Sequence, residues 1–431
     1  MSFPERLDAF SATELSAESL RRHFPPRAED TFSLVDEGDL RDALLLADVL
    51  LTRSTNSAEL GRIEGELADA SVPASVGMLL AVKLARSRKL LLERSDPVFV
   101  SVVFAVYRET ERILRPDQHV FGEDFVNRKV AQLEWLLAGV PDAEFELVVV
   151  DDGCPDRSGA VVERVVAEGG LEERVRVLFL ADAIERGHPA VDGLRSVDES
   201  RKGGSIQLGM WEAAAADRGP GHVVIFTDAD LSTHLGQTGL LIEAVRRAGP
   251  VAIGSRRHPR SVVRKRGARN ERGKLFIYLW KALLEPLGGI VDTQCGFKAF
   301  DARVVHPLVR GMRERRFAFD IELLLRTVLD FPEAAAPISP VGVGWIDSEA
   351  LSTTTNLQPY HAMLQSVAGM YRRYLDPTPE AEEFATFIEE LGPEQWAVLE
   401  TLVPPEIAGR DPRLFDEWRG VTAQDLSAAL G

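Results

Sequence analysis

This chain has few cysteines, fewer basic than acidic residues and no long apolar run. Its 431 residues include two cysteines, Cys154 and Cys295, too few for a disulfide framework or a four-ligand zinc site. The formal net charge of -17 argues against nucleic acid as a partner, because a phosphate backbone requires a basic face. No stretch approaches the roughly 18 apolar residues of a membrane span, and the N-terminus has no signal-peptide pattern. We expect a soluble, cytoplasmic protein.

Hydrophobic periodicity divides the chain into three regions. Residues 1–95 space their apolar positions at three and four, which is typical of helices, and residues 377–431 return to that pattern. Between them, in residues 96–376, short apolar strands alternate with amphipathic helices, which indicates an α/β domain with a mainly parallel sheet covered on both faces. The predicted strands are Val98–Ala105, Glu146–Val150, Val175–Leu180, His222–Thr227 and Val251–Gly254, and the predicted helices include Phe125–Leu137, Gly159–Glu168 and Ser205–Ala216.

Acidic residues follow two of these strands, where ligands bind in open α/β sheets. Asp228 and Asp230 come directly after a buried strand, and two carboxylates with substrate phosphates are a typical Mg²⁺ site. The alternative is a solvated turn. Asp151 and Asp152 follow another strand, where they could accept from a nucleotide or form a turn before Gly153.

A Lys-Gly-Gly turn opens the helix predicted to begin at Ser205. Lys202 and Gly203 suit contact with phosphate, because backbone amides and a cation meet at a helix N-terminus. The alternative is a simple loop with Ser205 near the cap.

Seven segments in a fixed order resemble family 2 glycosyltransferases, most nearly the subgroup with dolichyl-phosphate mannose and glucose synthases. They are VSVVFAVYRE, VVVDDGCPDRS, RKGGSIQLGM, VVIFTDADLST, AIGSRR, VDTQCGFKAF and FAFDIELL, within about residues 97–350. The resemblance implies the GT-A fold and an inverting transfer from a nucleotide diphosphate sugar, with Mg²⁺ or Mn²⁺ as cofactor. UDP-glucose is the donor favoured by the subgroup, although the sequence does not choose between UDP and GDP.

The resemblance also assigns roles to residues of this sequence. It implies donor binding by Tyr107, Glu109, Asp151, Asp152, Lys202, Gly203, Asp228, Ser255, Arg256 and, more loosely, Arg272; a metal site at Asp228 and Asp230; and a sugar or acceptor pocket formed by Asp292, Thr293, Gln294, Cys295, Glu322 and Trp345. Asp320 is the candidate general base for a hydroxyl acceptor, and the alternatives are a helix N-cap or an acidic residue in the first turn, favoured by the helix dipole. A phosphate acceptor would need no base.

Two departures from the family pattern bear on function. Arg108 adds a positive charge where the family has Asn, and Cys154 stands where Ser is usual. We expect a soluble small-molecule hydroxyl acceptor, with a homodimer possible through the helical ends. The alternatives are a polyprenyl-phosphate glycosyltransferase recruited to the membrane by a partner, and a non-catalytic scaffold that binds nucleotide sugars.

Overall fold

The computed structural model describes residues 2–26, 31–69, 74–216, 218–264, 270–334, 336–347, 359–417 and 420–430. The strands are β1 Val98–Val106, β2 Ala143–Asp151, β3 Val175–Phe179, β4 His222–Thr227, β5 Val251–Ser255, β6 Val262–Arg264, β7 Phe297–Asp301, β8 Ile338–Gly342 and β9 Gly344–Ile346. The helices are α1 Phe3–Ser11, α2 Ala17–His23, α3 Glu37–Arg53, α4 Ser57–Ala68, α5 Val76–Leu92, α6 Thr110–Ile113, α7 Phe125–Leu137, α8 Ser158–Gly169, α9 Leu180–Glu185, α10 Gly203–Ala215, α11 Thr238–Arg247, α12 Asn270–Leu283, α13 Ala302–Val309, α14 Phe319–Asp330, α15 Tyr360–Tyr374, α16 Pro379–Glu390, α17 Pro393–Thr401, α18 Pro405–Ala408 and α19 Ala423–Ala428.

The main sheet is largely parallel, as predicted. Over the described residues it has seven strands in the order β3-β2-β1-β4-β7-β5-β8. Strand β7 runs antiparallel to both of its neighbours, β4 and β5. The ends of β1, β2 and β4 therefore meet at the same edge of the sheet, and the loop that enters β7 lies there too.

Both faces of the sheet are buried, because the strands are almost continuously apolar. In β1, Val103 packs into one hydrophobic core, while Val102 and Phe104 pack into another on the opposite side. Successive side chains of a strand point to opposite faces, so an unbroken apolar run requires helices on both. Helices α10, α12 and α14 contribute to the first core, and α7, α8 and α11 to the second.

Helices α1–α5 form a core of their own that reaches the edge of the domain. Ile346 of β9 belongs to this core, and Lys83 of α5 donates to the carbonyl of Gly342 (2.9 Å) at the end of β8. Lys83 is fully buried and paired with Glu64, which offsets the cost of burying its charge. The N-terminal helices thus support the small sheet formed by β6 and β9.

The C-terminal helices pack on α12. Phe384 and Phe415 lie against Tyr278 with ring centroids 6.4 and 5.3 Å apart, and the Tyr278 hydroxyl donates to the carbonyl of Val421 (2.7 Å). These side chains share the core of the central sheet. Among the residues that the structure describes, no helix is long and apolar enough to cross a membrane.

Candidate active site

The predicted acidic pair lies immediately beyond the end of β4. The backbone amide of Asp228 donates to the carbonyl of Gly296 (3.2 Å), which joins this segment to the loop before β7. A Cβ at position 296 would collide with the Asp228 carboxylate, so glycine is required for this close approach. Ala229 is buried, whereas Asp228 and Asp230 are partly exposed. The two carboxylates are therefore accessible at the edge of the sheet.

Lys202 neutralises one of the two acids. Its Nζ forms an ion pair with Asp228 Oδ1. Burial opposes ionisation of Asp228, but Lys202 overcomes it and holds the pKa of this carboxyl below its ordinary value. Burial raises the pKa of Asp230, and repulsion from Asp228 adds to the rise. Burial and this repulsion both disfavour the ionised form of Asp230, and a bound cation would stabilise it.

The loop of residues 200–204, which carries Lys202, is held in a strained conformation by Asp152. Lys202 has φ of 72°, in the left-handed region that disfavours residues with a side chain. Its backbone amide donates to Asp152 Oδ2, and the hydroxyls of Ser200 and Ser205 donate to Oδ1, each at 2.7 Å. Such strain persists where the surroundings enforce it, as at ligand-binding sites. Asp152 therefore shapes this loop.

Gly203 begins α10, two residues before the predicted start at Ser205. The amides of Arg201 and Gly204 donate to the carbonyl of Arg315 (3.0 and 3.1 Å), so the loop lies against the chain just before α14. A Cβ on Gly203 would come within 2.6 Å of the Arg316 carbonyl. This contact brings the loop of residues 200–204 beside the helix that carries Asp320.

Asp151 has the turn geometry that the sequence left as an alternative to nucleotide binding. Its Oδ1 accepts from the amide of Cys154 (2.8 Å), and its Oδ2 accepts from the amide of Gly159 (2.7 Å) in the first turn of α8. An acidic side chain is favourable there, because it satisfies amides that have no partner within the helix. Asp151 thus connects β2 to α8.

The segment after β1 is fixed by Cys154 and Ser158. The amide of Arg108 donates to Cys154 Sγ (3.1 Å), and that of Glu109 donates to Ser158 Oγ (2.9 Å). The two side chains also contact each other at 3.1 Å. Cysteine thus serves as a hydrogen-bond acceptor at this position. The Arg108 guanidinium lies 5.7 Å from the centre of the partly exposed Tyr107 ring.

Glu109 is joined to a largely buried arginine, Arg112, that sequence analysis did not identify. Arg112 donates to Glu109 (2.9 Å) and, through two bonds of 3.1 and 3.0 Å, to Glu123. Burial raises the pKa of Glu109 to about 7; Arg112 opposes the rise, while Asp230 adds to it. Arg112 follows Glu109 by three residues, a spacing that pairs side chains on a helix and could have indicated the contact.

Arg256 and Asp292 form a bidentate ion pair at the predicted sugar pocket. Arg256 donates to Asp292 from its amide (2.7 Å), Nε (2.9 Å) and Nη2 (2.8 Å). Burial opposes ionisation of Asp292, but Arg256 holds its pKa well below the usual range. The guanidinium also lies 5.4 Å from the ring centre of Trp345. The backbone of Trp345 forms an isolated antiparallel β-bridge with Thr233. Ser255 is buried beside this pair, as the last residue of β5.

The three residues after Asp292 continue the predicted sugar pocket. The amide of Gln294 donates to Asp292 Oδ1 (3.3 Å), and Thr293 is buried. Cys295 is fully buried, and burial raises the pKa of its thiol to about 12. A thiol in that state is a poor nucleophile.

Asp320 is a buried acid with one free oxygen. Its Oδ2 accepts from Lys298 Nζ (3.1 Å), whereas its buried Oδ1 has no hydrogen-bond partner among the described residues. Burial raises the pKa of Asp320 despite the attraction of Lys298 and Lys202. Ala318, not Asp320, is the N-cap of α14. The N-cap alternative is therefore wrong, whereas Asp320 does lie in the acidic first turn of α14, the other alternative. The unpaired oxygen suits proton transfer.

Within the described part of the chain, two predicted residues make no hydrogen bond or ion pair with the rest of the site: Glu322 bonds to the chain before α14, and Arg272 is exposed. Glu322 accepts from the amides of Arg313 (3.0 Å) and Glu314 (2.7 Å) and from the hydroxyl of Tyr374, so it supports the chain before α14. Arg272 is exposed in the first turn of α12. Over the residues described, Arg272 has no hydrogen bond or ion pair to another predicted site residue, and its role stays a prediction.

The site can hold a divalent cation with help from the substrate. Asp228 and Asp230 are one residue apart and repel each other. Within the described ranges, no group of three or more His, Cys, Asp or Glu side chains is arranged as a metal cluster. A hard cation bound here would therefore take its remaining oxygen ligands from phosphates and water, as Mg²⁺ commonly does.

Known proteins with similar sequences are glycosyltransferases. No family model matches the chain. It is 28% identical over 283 residues to the dolichyl-phosphate beta-glucosyltransferase of Drosophila melanogaster, covering 64% of this chain and 74% of the relative. With the Homo sapiens protein of the same name it shares 26% over 276 residues, covering 62% and 72%.

Among solved structures, the glucosyl-3-phosphoglycerate synthase of M. tuberculosis aligns with a TM-score of 0.43 and 20% identity, over 69% of this chain and 86% of that chain. The chain is thus similar in sequence to named glycosyltransferases, and its mainly parallel sheet gathers the ordered motifs at one edge.

Proposed function

We propose that the protein transfers a hexose from a nucleotide diphosphate sugar, UDP-glucose, to a hydroxyl of a small acceptor, with inversion at the anomeric carbon. One observation carries the proposal. Asp228, Lys202 and Asp320 come from three separate segments that meet at one edge of the sheet: Lys202 forms an ion pair with Asp228, and the loop that carries Lys202 bonds to the chain just before the helix of Asp320. The beta-glucosyltransferase names of the relatives favour glucose as the sugar.

Asp228 and Asp230 would hold Mg²⁺ or Mn²⁺, which supplies charge neutralisation for the leaving diphosphate. Lys202 adds a second positive charge on the same side, since its ammonium already pairs with Asp228. A diphosphate that enters would compete for that ammonium. The strained backbone at Lys202 keeps the amine within reach, so the protein does not need to reorganise around the donor.

Asp320 accepts the proton of the acceptor hydroxyl. The acceptor oxygen bonds to the anomeric carbon as the bond from that carbon to the diphosphate oxygen breaks, and the electron pair leaves with the diphosphate. Lys298 holds one carboxylate oxygen of Asp320 and leaves the other free for the proton. A positioned base of this kind contributes about 10²–10⁴-fold to the rate.

A lipid phosphate is the second candidate acceptor. The relatives are named for dolichyl phosphate, and a phosphate oxygen needs no base. Transfer assays with soluble sugar alcohols and with polyprenyl phosphate in vesicles separate the two acceptors. Product in the vesicle arm alone would overturn the small-molecule acceptor while leaving the transferase chemistry in place.

A thermal-shift panel of nucleotide sugars, each with and without Mn²⁺, tests the donor. We expect UDP-glucose with Mn²⁺ to stabilise the protein, because a ligand at 100 times its dissociation constant adds about 2.7 kcal/mol. The Asp230→Asn variant is the matched control and should lose the part of the shift that depends on Mn²⁺. If no nucleotide sugar shifts the melting temperature and none is hydrolysed, the proposed function is wrong.

A further inference from the structure

Residues 228–235, which follow β4 and include Asp228 and Asp230, form what we call the acidic loop. Helix α7 packs behind this loop and places two polar side chains against the loop's backbone. Lys129 is fully buried, and its Nζ donates to the carbonyls of Asp228 (3.1 Å) and Asp230 (2.8 Å). Three residues later, Gln132 Oε1 accepts from the amide of Leu235 (2.9 Å). Residues three apart lie on the same face of a helix, so α7 holds the loop at both ends.

Burying the ammonium of Lys129 is unfavourable, and its contacts offset that cost. Its helical neighbours Val126, Val130 and Leu133 are apolar and buried. A buried ammonium is unfavourable unless its donors are used. The two carbonyls take two of the three donors, and the Phe104 ring, with its centre 5.4 Å from Nζ, lies near the amine as well. The amine is therefore placed to hold the loop.

We propose that α7, through Lys129 and Gln132, is the element that positions Asp228 and Asp230 for metal binding. One amine holds the backbone of both aspartates from the protein side, while their carboxylates remain accessible on the other side. Without it, two carbonyls would lose their partner and the peptide between the acids could rotate. This inference rests on the proposed function, in which the two acids hold the metal.

Lys129→Met keeps the length of the side chain and removes its donors. We expect the amides of residues 226–236 to exchange hydrogen about tenfold faster in this variant, because a lost buried hydrogen bond of average strength corresponds to about that factor. Mn²⁺ affinity, measured by electron paramagnetic resonance with UDP or GDP present, should fall by a similar factor. Gln132→Leu should give a smaller change in the same direction, centred on Leu235.

Lys281→Met is the matched control. Lys281 also donates to a backbone carbonyl, that of Gly288, and its amine lies 5.9 Å from the ring centre of Trp280, but it is on α12. The control should leave exchange of the acidic loop unchanged. Unchanged exchange in Lys129→Met, or equal loss of loop protection in the control, would overturn the inference. Absence of Mn²⁺ binding in the unmodified protein would count against the proposed function, and the exchange measurement would still decide the role of α7.

Discussion

Glu109 makes the stability of the protein depend on pH in a way that one substitution should remove. Burial raises the pKa of this carboxyl from 4.5 to about 7. The folded state therefore binds the proton more tightly than the unfolded state does. The resulting stabilisation is fully present below the unfolded value of 4.5 and is lost as the pH rises through about 7.

The size of the effect follows from the two pKa values. A difference of one unit corresponds to about 1.4 kcal/mol, so the whole transition is about 3 kcal/mol, and roughly 2 to 3 kcal/mol of it falls between about pH 5 and pH 8. Glu109→Gln keeps the shape and cannot ionise. Arg112 remains paired with Glu123 through two bonds, so the substitution leaves no unpaired buried cation.

Urea unfolding of both proteins at these two pH values, without metal, measures the effect. We expect the free energy of unfolding of the variant to exceed that of the unmodified protein at the higher pH and to approach it at the lower one. Glu243→Gln is the matched control: burial opposes ionisation of Glu243, but Arg246 and Arg247 hold its pKa below the ordinary 4.5, so this carboxyl titrates below the range used and the substitution should lower the free energy of unfolding by a similar amount at both pH values. Equal pH slopes for the unmodified protein and Glu109→Gln would refute the reasoning.

Two further predictions concern turnover and the accessibility of a buried thiol. Asp320→Asn should lower turnover on a hydroxyl acceptor by about 10²–10⁴-fold while the thermal shift with donor stays intact, because the base is lost and the donor contacts are kept; unchanged turnover would remove Asp320 from catalysis. Cys295 should resist iodoacetamide in the folded protein and react after denaturation, since its thiol is buried with a pKa of about 12. Mass spectrometry measures both states, and rapid labelling of the folded protein would contradict the described burial.

Local patterns predicted the part of the site that lies at strand ends. A buried strand followed by Asp228 and Asp230 has one plausible geometry in a parallel sheet, so the position of the acids could be predicted from the chain alone. The same applies to Lys202 at the start of α10. Strand β7 was not predicted, because its run from Phe297 to Asp301 includes Lys298 and Asp301 and lacks the continuous apolar pattern of its neighbours.

Partners that are distant in the chain could not be predicted. Lys129 reads as a polar interruption in an amphipathic helix, and its two carbonyl partners lie about a hundred residues later. Lys298 was not singled out in the sequence, and it is fully buried against Asp320. No spacing rule links residues across such separations, since their contact depends on how helices pack on the sheet.

The sequence by itself determined the class of sheet, the edge where the candidate site residues gather and their chemical types, because strand length, apolar runs and residue order are local properties. The tertiary structure decided which of those side chains stay free. It engages Asp151 and Glu322 with backbone amides and places Lys129 behind the acidic loop. Within the described part of the chain, it leaves one oxygen of Asp320 without a hydrogen-bond partner. Whether a carboxylate binds the protein or a substrate depends on the donors that folding brings to it, and those donors come from every part of the chain.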